Sequence, residues 1–496
     1  MTELDALEAV PCDPIGKGCD PTISGLSYHS SQTQPGDLFF CFRGQHADGH
    51  EFAQEAVDRG AVALLVEREL AVQPAVPQLM VPDCRRWGAL VSAIFWGQPT
   101  KDLLLIGVTG TSGKTTTTHL IRHLLHESGL PTGMIGTLGT MVGGKMVKGM
   151  LTTPEAPDLQ RVFRQMVMAG DRAAVMEVSS HGLALHRVTG CHFNIGVFTN
   201  IAHEHLDFHK TMKEYLAAKG QLFRMLGDIG LSRGVARAVI NGDDPNATLI
   251  GRWSAVDPLY FGRNAKHVQI RNLHLSPARS TFTLRFFEDV EVDIEINMPA
   301  LYNIYNATAA AAAAWSTGMS PSAISDGLAR ADQVPGRFEI ISTEADDVQV
   351  IVDFAHTDDE LENLMNAVVR IAPAGVLLVF GCGGERDPMK RPKMGQIAQE
   401  TANYTIITSD NPRREDPRAI AKEIEAGFTD DTCYEVILDR TKAIARAIAL
   451  AKPNDLVVLA GKGHETYQVL AEEVLEMDDR EEGRQALKRR RKQRDD

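Results

Sequence analysis

The stretch "LLLIGVTGTSGKTTTTHLIRHLLHESG", residues 103–129, decides the fold class of this 496-residue chain. An apolar run leads into a glycine-rich loop, and the apolar residues after the loop have helical spacing. This order predicts one strand–loop–helix unit of a parallel α/β sheet. Backbone N–H groups of such a loop, together with the N-terminus of the helix, form a cradle for anions.

The residue types of this loop predict an ATP site. Lys114 would reach the terminal phosphates, and Thr115 or Thr116 would hold Mg²⁺. The strict G-x-x-x-x-G-K-[ST] spacing is not met, because Val108 stands where the first glycine is expected. The alternative is a glycine-rich turn with an exposed lysine, which the preceding strand and following helix disfavour. The predicted phosphate-binding residues are Gly110, Thr111, Ser112, Gly113, Lys114, Thr115 and Thr116.

The chain is too long for one ordinary hydrophobic core, so we expect two or three domains. Residues 1–98 mix strand and helix patterns, and residues 99–333 hold the glycine loop, further strands and an alanine-rich helix. From "VPGRFE" onward the alternation of strands and helices restarts, over residues 334–496. We therefore predict an α/β protein with these three domains.

Composition excludes several protein classes. A hydrophobic content of 44% and a charged content of 23% are typical of a soluble globular protein, and a net charge of -14 argues against general nucleic-acid binding. No apolar run is long enough to span a bilayer, and the acidic N-terminus lacks the pattern of a signal peptide. The seven cysteines are scattered, with Cys12 and Cys19 too isolated for a zinc site, so we expect free thiols in a reducing cytoplasm. The basic tail "KRRRKQRDD" is expected to be a solvated, frayed end.

Two neighbouring strand ends carry candidate metal ligands. Glu177 ends one predicted strand, in "MEVSSHG", and "TNIAHEHLDFH" follows the next. That second stretch contains His203, Glu204, His205, Asp207 and His209. A carboxylate and a histidine cluster at adjacent strand ends indicate a shared Mg²⁺ site, although a lone histidine is more often structural. The spacing leaves both interpretations open.

Two basic residues also have two interpretations each. Lys219, in "YLAAKGQLF", lies on or near the apolar face of a helix. The pattern favours a lysine that extends its amine to solvent, but a buried lysine would have a lowered pKa and be reactive. Arg337, in "VPGRFE", is either a salt bridge at a domain junction or an arginine that clamps a nucleotide.

The third domain has four apolar runs, each ending in polar or glycine-rich residues: "VQVIVDFAHT", "GVLLVFGCGGERD", "YTIITSDNPR" and "DLVVLAGKGHE". Ligands of open parallel sheets bind at the carboxyl ends of the strands, so these clusters are expected to share one edge. Asp410, Asn411 and Arg413 form a type I turn in the simplest interpretation. That turn does not explain the nearby Arg386 and Glu465. Both signs of charge at one edge suit an amino acid, which carries an ammonium and a carboxylate.

The motifs, taken in order, resemble the Mur ligase family over nearly the whole chain. The matching stretches are "PGDLFFCFRGQHADGHEF", "GVTGTSGKTTTT", "TTPEAPD", "MEVSSHGLALHRV", "TNIAHEHLDFH", "YLAAKGQLF", "VPGRFE", "VDFAHTDDEL", "FGCGGERDPMKRPKMG", "TSDNPR" and "GKGHETYQ". The family comprises cytoplasmic, ATP-dependent amide-bond ligases of peptidoglycan precursor synthesis. The resemblance implies a uridine-nucleotide-binding domain, a central P-loop ATPase domain with a parallel sheet and a Rossmann-like C-terminal domain.

The resemblance also implies a reaction and its substrates. The chain would add meso-2,6-diaminopimelate to the D-Glu γ-carboxylate of UDP-N-acetylmuramoyl-L-Ala-D-Glu through an acyl phosphate. It would use ATP and Mg²⁺ and act as a cytoplasmic monomer, without nucleic acid or membrane insertion. "DNPR" is the form associated with diaminopimelate, whose second carboxylate Arg413 can pair with; lysine would leave that arginine unpaired.

Site residues follow from the resemblance by position. The UDP-sugar would contact Tyr28, Ser30, Gln45, His46 and Ala47, and its peptidyl part Thr152, Thr153, Ser179 and Arg187. Asn306 and Arg337 would be further nucleotide contacts. The catalytic residues would be Lys114, Glu177, His205 and Lys219, with Lys219 carbamylated and binding Mg²⁺ beside Thr115, Glu177 and His205. The diaminopimelate pocket would comprise Arg386, Asp410, Asn411, Pro412, Arg413, Gly461 and Glu465.

The sequence departs from the family pattern at several positions. The usual Asp-Ser-Arg near the uridine is His-Ser-Ser at 29–31. Leu151 replaces an asparagine and Leu185 a glutamine, so contacts to the dipeptide are expected to differ. Glu204 and Glu385 replace aspartates and keep the charge.

Three other functions stay open. The lysine-adding tripeptide ligase differs only in the amine acceptor. A folylpolyglutamate-synthetase-type ligase shares the P-loop and central fold, but the N-terminal "GDLFFCFRG" and "DGH" argue against it. A binding protein that has lost catalysis is disfavoured by the intact set of Lys114, Glu177, His205 and Lys219.

Overall fold

The computed structural model describes residues 14–15, 21–44, 47–147, 149, 151–227, 235–287, 290–372 and 374–495. Gln45, His46, Cys12 and Cys19 lie outside these residues, as does the side chain of Asp207. Two compact units are present, Met1–Val268 with Ala309–Met319 and Gln269–Thr308 with Ser320–Asp496. The three domain boundaries stay a prediction.

A mainly parallel sheet occupies the N-terminal part of the first unit. Its strands are β1 (Pro14–Ile15), β2 (Gly25–Ser27), β3 (Asp37–Phe40), β4 (Ala63–Val66) and β5 (Gln78–Met80), in the order β1-β5-β4-β3-β2. Its helices are α1 (Ala53–Asp58) and α2 (Cys84–Phe95). Phe39 packs into a core on one face and Leu38 and Phe40 into a core on the other, as alternation along a strand requires. Gly60 follows α1 with φ +106°, a left-handed conformation that is typical of a glycine just after a helix.

The second sheet of the first unit carries the glycine loop. Its strands are β6 (Leu104–Thr109), β7 (Thr132–Gly136), β8 (Gly139–Val142), β9 (Lys145–Val147), β10 (Ala173–Glu177), β11 (Ile195–Phe198), β12 (Arg237–Asn241) and β13 (Pro258–Gly262). Its helices are α3 (Lys114–Glu127), α4 (Ala156–Met168), α5 (Ser180–Ala184), α6 (Leu206–His209), α7 (Met212–Arg224) and α8 (Ala247–Trp253).

The order of this sheet places the glycine loop. Within the unit it runs β13-β12-β11-β6-β10-β7-β8-β9, parallel from β13 to β7 and antiparallel in the β8–β9 hairpin. The strand β6 is buried along its whole length, which explains its continuous apolar run. The loop after β6 therefore lies between the carboxyl ends of β10 and β11, where α/β sheets bind ligands.

The second unit begins with a hairpin and two helices. The elements are β14 (Val268–Leu275), β15 (Ser280–Phe286), β16 (Val290–Ile296), α9 (Leu301–Ser316) and α10 (Pro321–Ala329), and α9 belongs to the first unit from Ala309 onward. The strands β15 and β16 pair antiparallel. The structure confirms the predicted alanine-rich helix as α9, and its alanines are buried.

The C-terminal sheet contains the four predicted apolar runs. Its elements are β17 (Glu339–Ile340), β18 (Gln349–Asp353), α11 (Asp358–Ile371), β19 (Val376–Phe380), α12 (Lys390–Thr401), β20 (Tyr404–Ile407), α13 (Pro417–Glu425), β21 (Tyr434–Val436), α14 (Arg440–Leu450) and β22 (Leu456–Ala460). A hairpin, β23 (Tyr467–Val469) and β24 (Val474–Glu476), and the helix α15 (Asp479–Asp495) follow. The sheet order is β17-β18-β22-β19-β20-β21, and the strands from β18 to β21 are parallel. The four polar clusters therefore share one edge, as predicted.

The expectation of a frayed, solvated C-terminal end is wrong. The basic residues lie on α15, where Arg490 pairs with both oxygens of Asp347 at 2.8 Å. Leu487 on the same helix is buried in the C-terminal core. The acidic partner is distant in sequence, so the charge run alone did not reveal this docking.

Two further expectations concern thiols and membrane spans. In the part of the chain that the structure describes, the thiols of Cys41, Cys84, Cys191, Cys382 and Cys433 are free. No helix among the described residues has both the length and the apolar character needed to cross a bilayer.

Candidate active site

The glycine loop is fixed by hydrogen bonds to the segment after β11. Thr199 Oγ1 donates to the carbonyl of Ser112 at 2.6 Å, and the Ser112 N–H donates to Asn200 Oδ1 at 3.0 Å. Gly110 and Gly113 have φ of +157° and +83°, and a Cβ on Gly110 would overlap Thr199. The loop thus needs glycine at both positions.

Two lysines converge on one carbonyl of this loop. Lys114 Nζ donates to the carbonyl oxygens of Gly110 at 2.9 Å and Thr111 at 2.6 Å. Lys219 Nζ, from α7, donates to the same Gly110 oxygen at 2.7 Å. The interpretation of Lys219 as a lysine extended to solvent is wrong, because the residue is only 1% exposed.

Lys219 is buried beside a second lysine. Burial, and next the charge of Lys114, lower its pKa well below the usual range, although Glu204 acts in the opposite direction. Its Nζ lies 4.4 Å from the ring centroid of Tyr215, whose hydroxyl is 3.0 Å from Thr111 Oγ1. A neutral amine is a nucleophile, whereas an ammonium is not.

Glu177 is fixed at the end of β10 beside the glycine loop. Thr115 Oγ1 donates to its Oε2 at 3.0 Å, and the Thr137 N–H donates to its Oε1 at 2.8 Å. The residue is 1% exposed. The structure therefore brings together the predicted Thr115 and Glu177. Thr137 was not predicted, although it directly follows the parallel strand β7 and the strand-end rule could have identified it.

His205 belongs to an aromatic cluster next to Lys219. Its ring centroid lies 4.8 Å from that of His181 and 5.9 Å from that of Tyr215, and its side chain is 39% exposed. Its Nε2 lies 3.5 Å from Glu204 Oε2. Among the described side chains, no three His, Cys, Asp or Glu residues are grouped as a metal site would require. Two of the predicted Mg²⁺ ligands, Thr115 and Glu177, nevertheless lie with their oxygens 3.0 Å apart.

The predicted peptidyl-binding residues are connected to one another. Thr153 Oγ1 lies 3.0 Å from Ser179 Oγ, and Arg187 Nη1 donates to the Thr153 carbonyl at 3.0 Å. Thr152 joins this set to the Glu177 region, with its hydroxyl 3.1 Å from that of Thr137.

Glu155 organises this region and was missed by the sequence analysis. One carboxylate oxygen pairs with Arg187 Nη2 at 2.9 Å and the other with Arg85 Nη1 at 2.9 Å. It lies in the quoted motif "TTPEAPD", but nothing in that motif indicated that its partners are arginines distant in sequence.

The predicted UDP-sugar residues lie in the N-terminal part of the first unit. Tyr28 Oη donates to Asp158 Oδ2 at 2.6 Å, and its ring stacks on Phe42 at 5.8 Å. Ser30 Oγ donates to Glu55 Oε2 at 2.7 Å. Ala47 is exposed in a turn, where its carbonyl accepts from the Gly44 N–H at 2.9 Å. 

The predicted amino-acid pocket is a hydrogen-bonded set at the edge of the C-terminal sheet. Asn411 Nδ2 donates to Glu465 Oε2 at 2.9 Å, and Arg413 Nη1 donates to the Gly384 carbonyl at 2.6 Å. Gly461 has φ +111°, and a Cβ there would lie 2.9 Å from an oxygen of Asp410.

Arg386 and Arg413 flank the same glycine. A Cβ on Gly383 would lie 3.1 Å from Arg413 Nη1 and 3.7 Å from Arg386 Cγ. Arg386 is exposed. Pro412 is buried between Asn411 and Arg413, and its carbonyl lies against Gly384. The loops after β19 and β20 therefore present their arginines together.

Lys462 is the pocket residue that the sequence analysis missed. It stands within the motif "GKGHETYQ", its side chain is fully buried, and its Nζ donates to Glu465 Oε2 at 3.0 Å and Asn411 Oδ1 at 3.1 Å. The strand-end rule could have identified it, because it follows β22 by two residues.

The two predicted nucleotide contacts of the second unit lie near its start. Asn306 is buried on α9, with Nδ2 3.3 Å from Asn303 Oδ1. The Arg337 guanidinium lies 4.7 Å from the ring centroid of Phe354. Burial raises the pKa of the nearby Asp353 to about 6, although Arg337 and two backbone N–H groups oppose this shift.

Comparison with protein families identifies three matching segments. The Mur ligase family, catalytic domain, matches residues 22–91; the Mur ligase middle domain matches residues 108–314; and the Mur ligase, glutamate ligase domain, matches residues 336–463. These matches confirm the predicted three-domain α/β organisation.

Individual relatives cover nearly the whole chain. The UDP-N-acetylmuramoyl-L-alanyl-D-glutamate--2,6-diaminopimelate ligase of Geobacillus thermodenitrificans is 44% identical over 98% of this chain and 99% of its own. The ligase of the same name from Halalkalibacterium halodurans is 43% identical over 95% of this chain and 96% of its own. A solved structure of a ligase with this name has 32% identity and a TM-score of 0.68, covering 94% of this chain and 95% of its own. The chain therefore belongs to the Mur ligase family.

Proposed function

We propose that this chain is the ATP-dependent ligase that adds meso-2,6-diaminopimelate to UDP-N-acetylmuramoyl-L-Ala-D-Glu. The observation that carries the proposal is the likeness, over 98% of the chain, to a relative named for this reaction at 44% identity. The reaction joins small molecules, and we assign it to the cytoplasm, with the chain acting as a monomer.

The glycine loop is the proposed ATP site. Its fixed N–H groups and the start of α3 would bind the phosphates, with Lys114 turning from the Gly110 carbonyl to the transferring phosphoryl group. ATP would phosphorylate the D-Glu γ-carboxylate, and the amine of diaminopimelate would attack the resulting acyl phosphate and release phosphate. Positioning and charge stabilisation are the main contributions that a protein makes to such transfers.

Mg²⁺ fits the oxygen ligands beside the loop. Thr115 and Glu177 lie 3.0 Å apart through their oxygens and would hold the ion, which prefers oxygen ligands and phosphates. When bound, it would offset the charge of the transferring phosphoryl group. His205 is the proposed nitrogen ligand.

Lys219 is the proposed site of carbamylation. The lowered pKa favours the neutral form of this buried amine, which can attack CO₂, forming an N–C bond and losing a proton to give an anionic carbamate. The product would turn the Lys219 side chain from a hydrogen-bond donor into an oxygen ligand next to the glycine loop.

The edge of the C-terminal sheet is the proposed site of the incoming amino acid. Arg386 and Arg413 would bind carboxylates, and Asp410 and Glu465 would bind ammonium groups. Lysine has no distal carboxylate, so a lysine acceptor would leave one arginine without its partner.

The test is ATP-dependent phosphate release by the purified chain with Mg²⁺ and UDP-N-acetylmuramoyl-L-Ala-D-Glu. Meso-diaminopimelate, L-lysine and L-ornithine are compared as acceptors, and the product masses are determined. A strong preference for diaminopimelate is expected. Preference for lysine would replace the proposal by the lysine-adding ligase, and absence of turnover with all three would reject both.

A further inference from the structure

Lys462 is a buried cation inside the proposed amino-acid pocket, and no role has yet been given to it. Its side chain is 0% exposed, while the side chain of its partner Glu465 is 18% exposed. A lysine is rarely buried completely unless it is paired, and this one donates to both Glu465 and Asn411. The charge is therefore held in place by the pocket itself.

The two hydrogen bonds of Lys462 set the orientation of its neighbours. Asn411 Oδ1 accepts from Lys462 Nζ at 3.1 Å and from the Val469 N–H at 2.9 Å. The amide nitrogen of Asn411 is consequently directed at Glu465 Oε2, which also accepts from Lys462. One carboxylate oxygen of Glu465 is thus engaged by protein donors.

The same arrangement lowers the negative charge that a ligand encounters. Lys462 compensates the charge of Glu465, and Arg413 and Arg386 are two further cations of the proposed pocket. Further carboxylates near them are those of Asp410 and Glu415. The ring of Tyr467 lies 5.6 Å from Lys462 Nζ, and the charges of Arg413, Asp410 and Glu465 act on its hydroxyl. Lys462 and Arg413 therefore lie close to the carboxylates of Glu465 and Asp410 around the side chain of Tyr467.

A bare ammonium is disfavoured next to these groups, because the carboxylate of Glu465 is already paired with Lys462. The distal end of L-lysine is a single ammonium, which would meet a carboxylate already paired and the nearby charges of Lys462 and Arg413. The distal end of diaminopimelate adds a carboxylate that can pair with an arginine and that offsets the charge of its own ammonium. Repulsion of the wrong ligand thus adds to attraction of the correct one.

We propose that Lys462 is a specificity-determining residue that makes the pocket select an amino acid with a zwitterionic distal end over one with a bare distal ammonium. The inference rests on the proposed function, because it concerns the acceptor of that reaction. It assigns Lys462 a role separate from the pairing of the distal carboxylate with Arg413.

The test compares kcat/KM for diaminopimelate and for L-lysine in wild type, Lys462→Met and Lys462→Gln, at saturating ATP and UDP-substrate. We expect the ratio of the two values to fall at least ~10-fold in both variants, since removal of one buried charge changes its partners' interactions strongly. Lys442→Met is the matched control, because Lys442 lies in the same unit with its side chain 77% exposed; its ratio should equal that of wild type.

A purely structural role would lower both kcat/KM values by the same factor and leave the ratio unchanged, and that result would overturn the inference. Thermal unfolding of each variant is measured alongside, and if Lys462→Met does not fold, the ratio in Lys462→Gln decides. Wild type that fails to use diaminopimelate would overturn the proposed function and the inference together. Wild type that uses it, with unchanged selectivity in the variants, would overturn only the inference.

Discussion

Arg440 donates two hydrogen bonds to the carboxylate of Asp479, at 2.7 and 2.6 Å, and the two side chains are 1% and 0% exposed. The same guanidinium donates to the carbonyl oxygens of Ala460 at 2.9 Å and Ser409 at 3.3 Å. These carbonyls directly precede two residues of the proposed amino-acid pocket. The ion pair therefore joins the starts of α14 and α15 to the ends of β20 and β22.

Removal of one partner of this pair should destabilise the protein strongly. We expect Asp479→Ala to lower the free energy of unfolding by about 3 to 5 kcal/mol, because Arg440 would remain buried without its counter-ion. The double variant Arg440→Met, Asp479→Leu should recover much of the loss, since apolar residues of similar volume leave no uncompensated charge. Urea denaturation provides the measurement.

The exposed pair Arg271–Glu291, with side chains 41% and 48% exposed, is the control. Glu291→Ala should change the free energy of unfolding by no more than about 1 kcal/mol. An equally small effect of Asp479→Ala would show that the buried pair does not stabilise the C-terminal sheet.

The sequence was sufficient to predict the sheets and the edges at which polar residues gather. Buried parallel strands appear as continuous apolar runs, and the residue after each run lies at the carboxyl edge as a consequence of topology. Glu177 and Asp410 were found at the ends of such runs, and Lys114 was found from the glycine loop and the helix that follows it; the structure places all three as expected relative to the strands. Their chemical roles stay predictions.

The remaining features depend on packing between distant segments. Helical spacing puts Lys219 near an apolar face, but only the approach of the glycine loop buries its amine and lowers its pKa. The C-terminal helix α15 is anchored by the hydrogen bond of Arg490 to Asp347. In the same way, the ion pair with Glu155 fixes the position of Arg187. No local pattern indicates which distant acid becomes the partner of which arginine.

Lys114→Ala should reduce turnover roughly 100- to 1,000-fold, because a cation that stabilises charge on the transferring phosphoryl group would be lost. Phosphate release under saturating substrates is the measurement. Lys145→Ala, on the exposed strand β9, is the matched control and should keep wild-type turnover. Unimpaired phosphate release by Lys114→Ala would show that the loop does not act on ATP.

Lys219 should carry the added mass of one CO₂ molecule when the protein is analysed without acid treatment. Burial, and next the charge of Lys114, lower the pKa of Lys219 and so favour the neutral amine, and carbamylation should therefore need less alkaline conditions than for an exposed lysine. Removal of dissolved CO₂ should lower turnover, and bicarbonate should restore it. Lys213→Ala, an exposed site on the same helix, should respond to bicarbonate as wild type does, whereas Lys219→Ala should be inactive and unresponsive. An unmodified, fully active Lys219 would reject the carbamate.

Glu155→Gln should impair use of the UDP-substrate selectively. The neutral amide cannot pair with both Arg85 and Arg187, so Arg187 would lose the contact that holds it beside Thr153. We expect KM for the UDP-substrate to rise at least ~10-fold, because removal of one partner of a buried charge pair typically weakens binding by that much or more. KM for ATP and diaminopimelate should stay at the wild-type values. A parallel rise of all three constants would indicate general unfolding instead.

Asp48 should make stability depend on pH in the acid range. Burial acts to raise its pKa, but hydrogen bonds from His50 and Arg68 outweigh it and lower the pKa to about 2. In the unfolded chain the pKa of the Asp48 carboxyl is ~3.9. The stabilisation is therefore complete at pH values above ~3.9 and is lost as pH falls through about 2. Asp48→Asn should therefore destabilise the protein at pH 7 by at most about 2.5 kcal/mol, reduced by solvent screening of a side chain that is 27% exposed. Denaturation at pH 7, 5, 4 and 3 should show the difference from wild type shrinking only below about pH 4, and a difference that is constant down to pH 3 would reject the assigned ionic contribution.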